Sequence, residues 1–209
     1  MTRPIPKHEA RRLEVLWQYE VLDTVPEEVF DDLTDLAAHI CDAPIALISL
    51  VDEDRQWFKA RIGITVSETS RDISFCAHAI MNDGLFVVPD ATKDKRFKNN
   101  PLVTGRQKIR FYAGAPLITP HGHALGTLCV LDDKPRMLRP EQAQALQVLA
   151  HHVVSQLELR RHARELIQVR NSGQQQSAEL ARARAEIARL RAKLARYEKR
   201  PRPAKRSRR

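Results

Sequence analysis

The chain reads as an α+β fold: an antiparallel sheet of five or six strands with helices on one face, followed by a C-terminal coiled-coil helix. Three observations predict it. Short apolar runs rich in β-formers come in hairpin pairs separated by tight polar turns. Segments with helical periodicity flank them at both ends. Composition then changes abruptly near Leu159: residues 1–158 carry 18 Lys/Arg against 22 Asp/Glu, and residues 159–209 carry 17 against 4. The net charge of +9 therefore belongs to the C-terminal arm, and the body is mildly acidic. Three regions are expected: a globular domain over 1–158, a helical coiled-coil extension over 159–198 and a disordered basic tail over 199–209.

Glu9 to Tyr19 places Leu13, Leu16 and Trp17 at helical spacing. A turn at Asp23–Pro26 follows, with Asp23 or Thr24 available as a cap. Pro26 to Ile40 reads as a second helix, its first turns rich in Glu27, Glu28, Asp31 and Asp32, where the helix dipole favours carboxylates. Phe30, Leu33, Leu36, Ala37 and Ile40 form its apolar stripe. The periodicity then becomes that of strands. Pro44–Asp52 and Arg55–Gly63 flank a tight acidic turn and read as an antiparallel hairpin. Ser74–Asn82 is a short helix with Ser74 or Asp72 as cap, and Phe86–Pro89 is a short strand suited to an edge. Asp90–Val103 is a polar surface loop with a helical turn. Ile109–Thr119 and Ala124–Asp132 form a second hairpin around Pro120-His-Gly-His123. Pro140 opens a helix at a favoured first-turn position, with Leu146, Leu149, Val153 and Leu157 on its buried face.

The arm continues helically. With position a at Leu166, positions a and d are all apolar from Leu180 through Ala183, Ile187, Leu190 and Leu194 to Tyr197, which is coiled-coil spacing. Leu180, Ile187, Leu190 and Leu194 are the expected dimerisation residues. Gly173 and Gln174–Gln176 interrupt the seam and predict a hinge or stutter. The last eleven residues hold seven Lys/Arg and two Pro, which cannot build a core.

Several function classes are disfavoured. The longest apolar stretch, Ile45–Val51, is far short of the ~20 residues that span a bilayer. The N-terminus has no apolar run of the kind a signal peptide carries. Cys41, Cys76 and Cys129 are odd in number, widely spaced and outside any CxxC pattern, which argues against a disulfide framework or a zinc knuckle. A cytoplasmic protein with reduced thiols is expected. No Gly-rich phosphate loop, HExxH or Ser-His-Asp arrangement is present, and enzyme activity is not expected.

Leu22-Asp-Thr-x-Pro-Glu27, Phe30-Asp-Asp-Leu-Thr34, Pro44–Asp52 and Arg55-Gln-Trp-Phe-Lys59 resemble the GAF domains of bacterial signalling proteins. So do Ser74-Phe-Cys-Ala-His-Ala-Ile80, Val88-Pro-Asp-Ala91, Arg110-Phe-Tyr-Ala-Gly-Ala-Pro-Leu117 and Leu125-Gly-Thr-Leu-Cys-Val130. The resemblance covers roughly residues 9–160. It implies a cytoplasmic signal-transduction module that senses a small ligand or redox state through a pocket and relays it through a dimeric C-terminal helix. A thiol-dependent reductase of the same fold, acting on free methionine sulfoxide, is the enzymatic alternative. A truncated sensor with its output domain on another chain is a third. The expected partners are a second copy of the chain, a signalling protein, and nucleic acid bound weakly and non-specifically by the tail. No cofactor is indicated.

The candidate ligand-binding residues are Trp57, Phe75, Cys76, His78, Asp90, Asp94, Phe97, Arg110, Tyr112 and Thr127. Trp57 and Phe58 alternate on one strand, so one enters the core and the other lines a pocket or covers a helix. Cys76 and His78 lie two apart on a helix and point about 200° apart, too far to share a metal. They read first as a buried thiol and a polar-facing histidine, with redox sensing by Cys76 as the lesser reading. The resemblance places chromophore attachment at a cysteine followed directly by histidine, and Ala77 interrupts that pattern. Arg110 and Tyr112 share a strand face, which indicates either a polar cavity or a salt bridge from Arg110 to Asp90 or Asp94. Asp90, Asp94 and Phe97 belong to the segment that closes over ligand in GAF domains. His121 and His123 read as exposed turn residues.

Overall fold

The computed structural model of the chain describes residues 4–198, with side chains described through Lys193. The basic tail and the Leu194 and Tyr197 side chains of the expected seam lie outside the described residues. The chain divides into two compact units, one through Arg161 and one from His162.

The first unit opens with α1 (Glu9–Gln18) and α2 (Glu28–Cys41). The sheet hairpin β1 (Ile45–Val51) and β2 (Arg55–Ile62) follows, then the short edge strand β3 (Glu68–Ser70), a 3-10 turn over Arg71–Ile73 and α3 (Cys76–Ala79). The remainder is β4 (Phe86–Val88), α4 (Pro101–Thr104), β5 (Phe111–Ile118), β6 (Ala124–Asp132) and the start of α5 (Pro140–Glu198). All six strands join one antiparallel sheet in the order β3-β2-β1-β6-β5-β4. β1 and β6 are therefore central although some 70 residues separate them. They approach closely because Gly126 has no side chain: a Cβ there would sit 1.9 Å from the Ser49 carbonyl oxygen.

One face of the sheet is covered by α1, α2 and the first turns of α5. Leu16, Phe30, Ala37, Ile48, Leu50, Leu128, Val130, Leu146, Val153 and Leu157 pack there into one largely aliphatic core. The stripe expected on α2 is narrower than the sequence implied, since Leu36 is exposed while Phe30 and Ala37 are buried. Neither Asp23 nor Thr24 caps α2: Thr24 Oγ1 donates to the Val21 carbonyl, and Asp23 pairs with Arg55 at 2.6 Å. Trp17 is likewise exposed, with its indole N–H on Asp52.

A bulge between Ile48 and Ser49 inserts Lys59 into the ladder. Trp57 and Ala60 consequently both join the helix-side core. The buried Lys59 ammonium reaches Glu27 at 2.6 Å, Thr24 Oγ1 and the Val25 carbonyl, and lies over the Phe30 ring. Arg160 on α5 binds the same Glu27 oxygen. Their charge and hydrogen bonds hold the Glu27 carboxyl below its ordinary range, although its partial burial acts the other way.

In the second unit α5 runs helically through Gly173, so the expected hinge is absent. One glycine costs a helix about 1 kcal/mol relative to alanine, too little to end it without a proline. Leu166, Val169, Leu180, Ile187 and Leu190 are each at least half exposed. Among the described residues, no helix is long and apolar enough to cross a membrane.

Candidate functional site

Ile45, Leu47, Ser49 and Val51 on β1, with Phe58 on β2, Tyr112 on β5 and Thr127, Cys129 and Leu131 on β6, lie on the sheet face away from the long helices. This face has two halves. Toward β2 it holds a cavity of about 510 Å³. Its floor is Leu47, Phe58 and Leu131; Ile64, Leu102 and Ile109 form its walls; Gln56, Thr69 and Gln107 are its main polar groups. Among the described residues, no charged side chain lines it. The volume falls within the range that holds small ligands. A larger, shallower groove of about 790 Å³ runs past Asp42, Asp132 and Arg136. Its Arg136 is taken up by Asp132 at 2.8 Å and by the Cys41 and Asp42 carbonyls.

The other half, under α3, is filled. Phe75 stacks on Phe97 at 4.1 Å and on Tyr112 at 5.2 Å, and Phe86 packs against both Phe97 and Tyr112. Beneath the rings the Cys76 and Cys129 sulfurs stand 3.9 Å apart. Tyr112 Oη lies 3.4 Å from both Cys76 Sγ and Thr127 Oγ1. Gly114 makes room for that hydroxyl, since a Cβ there would lie 2.2 Å from it. Burial pushes both thiols toward the protonated form. Hydrogen bonds from Cys129, Thr127, Tyr112 and Ser49 reverse this for Cys76, whose pKa falls below the ordinary thiol range. Cys129 and Tyr112 are driven well up by burial, Cys129 further by its hydrogen bond to Cys76 and Tyr112 by the charge of its sulfur neighbours.

The two halves share a polar chain. The Gln56 amide, at the cavity wall, donates to Thr69 Oγ1 at 2.6 Å, and its oxygen accepts from Ser49 Oγ and Ser74 Oγ. Ser74 Oγ also accepts from the Ala77 N–H, which supplies the predicted cap for the short helix.

Phe75, Cys76, Phe97, Tyr112 and Thr127 thus come together in the packed half, with His78 edge-on to Phe97 at 4.8 Å. Burial and the nearby Arg96 charge lower the His78 pKa. Trp57 is not with them; the bulge sends it to the helix side, and Phe58 takes the site face. Asp90 closes a turn by accepting from Thr92 and pairs with Lys93, while Asp94 pairs with Arg96 at 2.6 Å. The salt bridge expected from Arg110 to one of these aspartates is not formed. Arg110 Nη1 instead donates to the Val103 and Ile109 carbonyls, tying down the loop that walls the cavity. None of the ten predicted residues lines the cavity. Sequence reasoning passed over Leu47, Gln56, Leu102 and Ile109, and the available signal was strand alternation, which places Gln56 on the same face as Phe58.

Comparisons with known proteins agree with this architecture. The family model described as GAF domain matches residues 25–157. Residues of the chain are 48% identical, over 135 positions, to a cyclic di-GMP phosphodiesterase of Pseudomonas aeruginosa; the match covers 65% of this chain and 23% of that protein. The chain thus spans about a quarter of the length of that relative. The GAF domain of a phosphoenolpyruvate-protein phosphotransferase from Coxiella burnetii superposes with a TM-score of 0.55 at 16% identity, covering 76% of this chain and 98% of the other. A free methionine-R-sulfoxide reductase from Neisseria meningitidis superposes with a TM-score of 0.54 at 18% identity, covering 78% and 98%.

Proposed function

The chain belongs to the GAF domain family, and on that premise we propose that it is a sensory module whose input is a small, uncharged and largely apolar ligand held in the cavity beside β1 and β2. The observation that carries this reading is the lining: hydrophobic side chains, a few amide and hydroxyl groups, and, among the described residues, no Lys or Arg. An anionic ligand such as a cyclic nucleotide would be stripped of water there with no cation to pair it, which costs several kcal/mol. A neutral ligand would bury its bulk against Leu47, Phe58 and Leu131 and hydrogen-bond to Gln56 or Gln107. Similarity to part of a cyclic di-GMP phosphodiesterase supports a place in signalling. We read the chain as a binding module and not as a reductase, because Cys76 and Cys129 stand apart from the cavity lining, packed with the Phe75, Phe97 and Tyr112 rings.

The output in this reading is α5. Leu180, Ile187 and Leu190 expose half of their surface at coiled-coil spacing, and a second copy of the helix is the partner that this spacing fits. Leu194 continues the same spacing.

Two experiments test these parts. Titration with the neutral fluorophore N-phenyl-1-naphthylamine should give saturable binding that cyclic di-GMP does not displace and that Leu102→Trp abolishes. Absence of neutral-probe binding, together with tight cyclic di-GMP binding, would overturn the ligand class. Light scattering should show a dimer for the full chain and a monomer for Ile187→Asp with Leu190→Asp; a monomer in both cases removes the relay.

A further inference from the structure

We propose that Cys76 and Cys129 are a modification site, closing into a reversible intramolecular disulfide when the protein meets hydrogen peroxide, and that this oxidant input is separate from ligand binding in the cavity. The pairing was invisible in the chain because 53 residues separate the two cysteines. The sheet brings β6 beneath α3, and the sulfurs end 3.9 Å apart. A disulfide bond is about 2.05 Å long, so roughly 2 Å of approach completes it. Side-chain rotation can supply much of that, and α3 is a single four-residue turn rather than a long rigid helix. Cys41 does not compete: it is buried in the helix-side core on the other face of the sheet.

The surroundings fit stepwise oxidation. Cys76 receives hydrogen bonds from its neighbours that favour its thiolate, while Cys129 stays protonated. The Cys76 thiolate attacks one peroxide oxygen and the O–O bond breaks, leaving a sulfenic acid on Cys76 and hydroxide, which takes up a proton to become water. The Cys129 sulfur then displaces the sulfenic oxygen as a second water, with its own thiol proton going to that oxygen, and the S–S bond forms. Two thiols lose two electrons and two hydrogens, and one peroxide becomes two waters. Hydrogen peroxide is the oxidant that suits the site: it is close to water in size, uncharged, and able to hydrogen-bond along the Thr69, Gln56 and Ser49/Ser74 chain that leads from the cavity wall. The bond would tie α3 to the central strand β6 and crowd the Tyr112 hydroxyl now held beside Cys76.

The test uses the full chain. After exposure to peroxide, the protein is denatured, alkylated with N-ethylmaleimide and weighed intact, then digested without reduction. Alkylation should fall from three thiols to one, a peptide pair joining Cys76 to Cys129 should be recovered, and dithiothreitol should restore all three sites. Dimedone should trap Cys76 in Cys129→Ser, and Cys41→Ser should leave the bond unchanged. Three thiols still alkylated, oxidation confined to Cys41, or bonds only between chains would each overturn the proposal. The unmodified protein decides the outcome even if a cysteine variant fails to fold. The alkylation count involves no ligand, so a protein that binds no neutral probe still forms the bond, and this result stays independent of the ligand reading.

Discussion

The two faces of the sheet are built from different materials. The helix side is a largely aliphatic core in which Ile48, Leu50, Leu128 and Val130 meet Leu146, Val153 and Leu157, and its buried polar side chains, such as Thr34, Lys59 and Gln142, are hydrogen-bonded. The other side carries aromatic rings, two thiols, Ser49 and Thr127, and a cavity left open among apolar walls. Close packing is worth the most where nothing has to enter, so the first face supplies stability. The second face keeps empty volume and buried polar atoms, both of which lower stability, and those are the features a sensing site requires. The same sheet thus separates the two demands by strand alternation.

Breaking the helix side should be the most damaging change. Leu128→Ala, at a fully buried position of β6, is expected to lose about 3 kcal/mol in urea unfolding while the residual folded protein still binds the neutral probe. Loss of probe binding without loss of stability would contradict the division between faces.

A smaller effect is expected at the edge where α1 meets the β1–β2 turn. Glu9 accepts from the buried Arg12 and Arg71 at 2.7 and 2.6 Å. Burial alone would raise its carboxyl, yet the hydrogen bonds and charges of the two guanidinium groups lower its pKa to about 2. A depressed native pKa adds stability above the unfolded carboxylate range and loses it as pH falls toward the native value. Glu9→Gln should therefore cost about 2 kcal/mol at neutral pH, allowing for the partial exposure of the carboxylate. The gap from the parent protein should shrink between pH 4.5 and about 2. A gap independent of pH would show that packing, not charge, holds this corner.

Within the site face, Gly114→Ala sharpens the contrast between its packed and open halves. The new methyl group collides with the Tyr112 hydroxyl, so about 1–2 kcal/mol of stability should be lost. Tyr112 should also leave Cys76, raising the pH at which that thiol is oxidised by hydrogen peroxide in the folded protein; an unchanged profile would remove Tyr112 from the thiol's environment. The smallest effect on stability belongs to Leu102→Trp, where the cavity has room for the added ring. A change within about 1 kcal/mol is expected, and a large loss would mean that the space is not open.

Periodicity and composition reached most of the fold. The short apolar runs at Ile45–Val51 and Ala124–Asp132 mark their strands, Pro140 marks the start of α5, and Leu146, Leu149, Val153 and Leu157 mark the face it buries. β3 could not be read: Glu68–Ser70 is polar and three residues long, and it is a strand only because Arg55–Trp57 pairs with it. Of the site, the sequence marked Phe75, Cys76, Phe97, Tyr112 and Thr127, which do meet. It could not say that they fill their half of the face while the cavity lies beside Leu47 and Phe58.

What the sequence determined by itself was therefore local: which segments are helix or strand, which residues alternate, and the contrast between an acidic body and a basic arm. Tertiary structure alone decided who faces whom. The bulge at Ile48/Ser49 put Trp57 with the helices and Phe58 with the site, and pairing across the sheet put Leu47 and Gly114 on either side of Cys129. Register and bulges are set by strands distant in the chain, and a one-residue shift in pairing moves a side chain to the opposite face. Local periodicity carries no record of that shift, so the meeting of Cys76 with Cys129 exists only in the folded sheet.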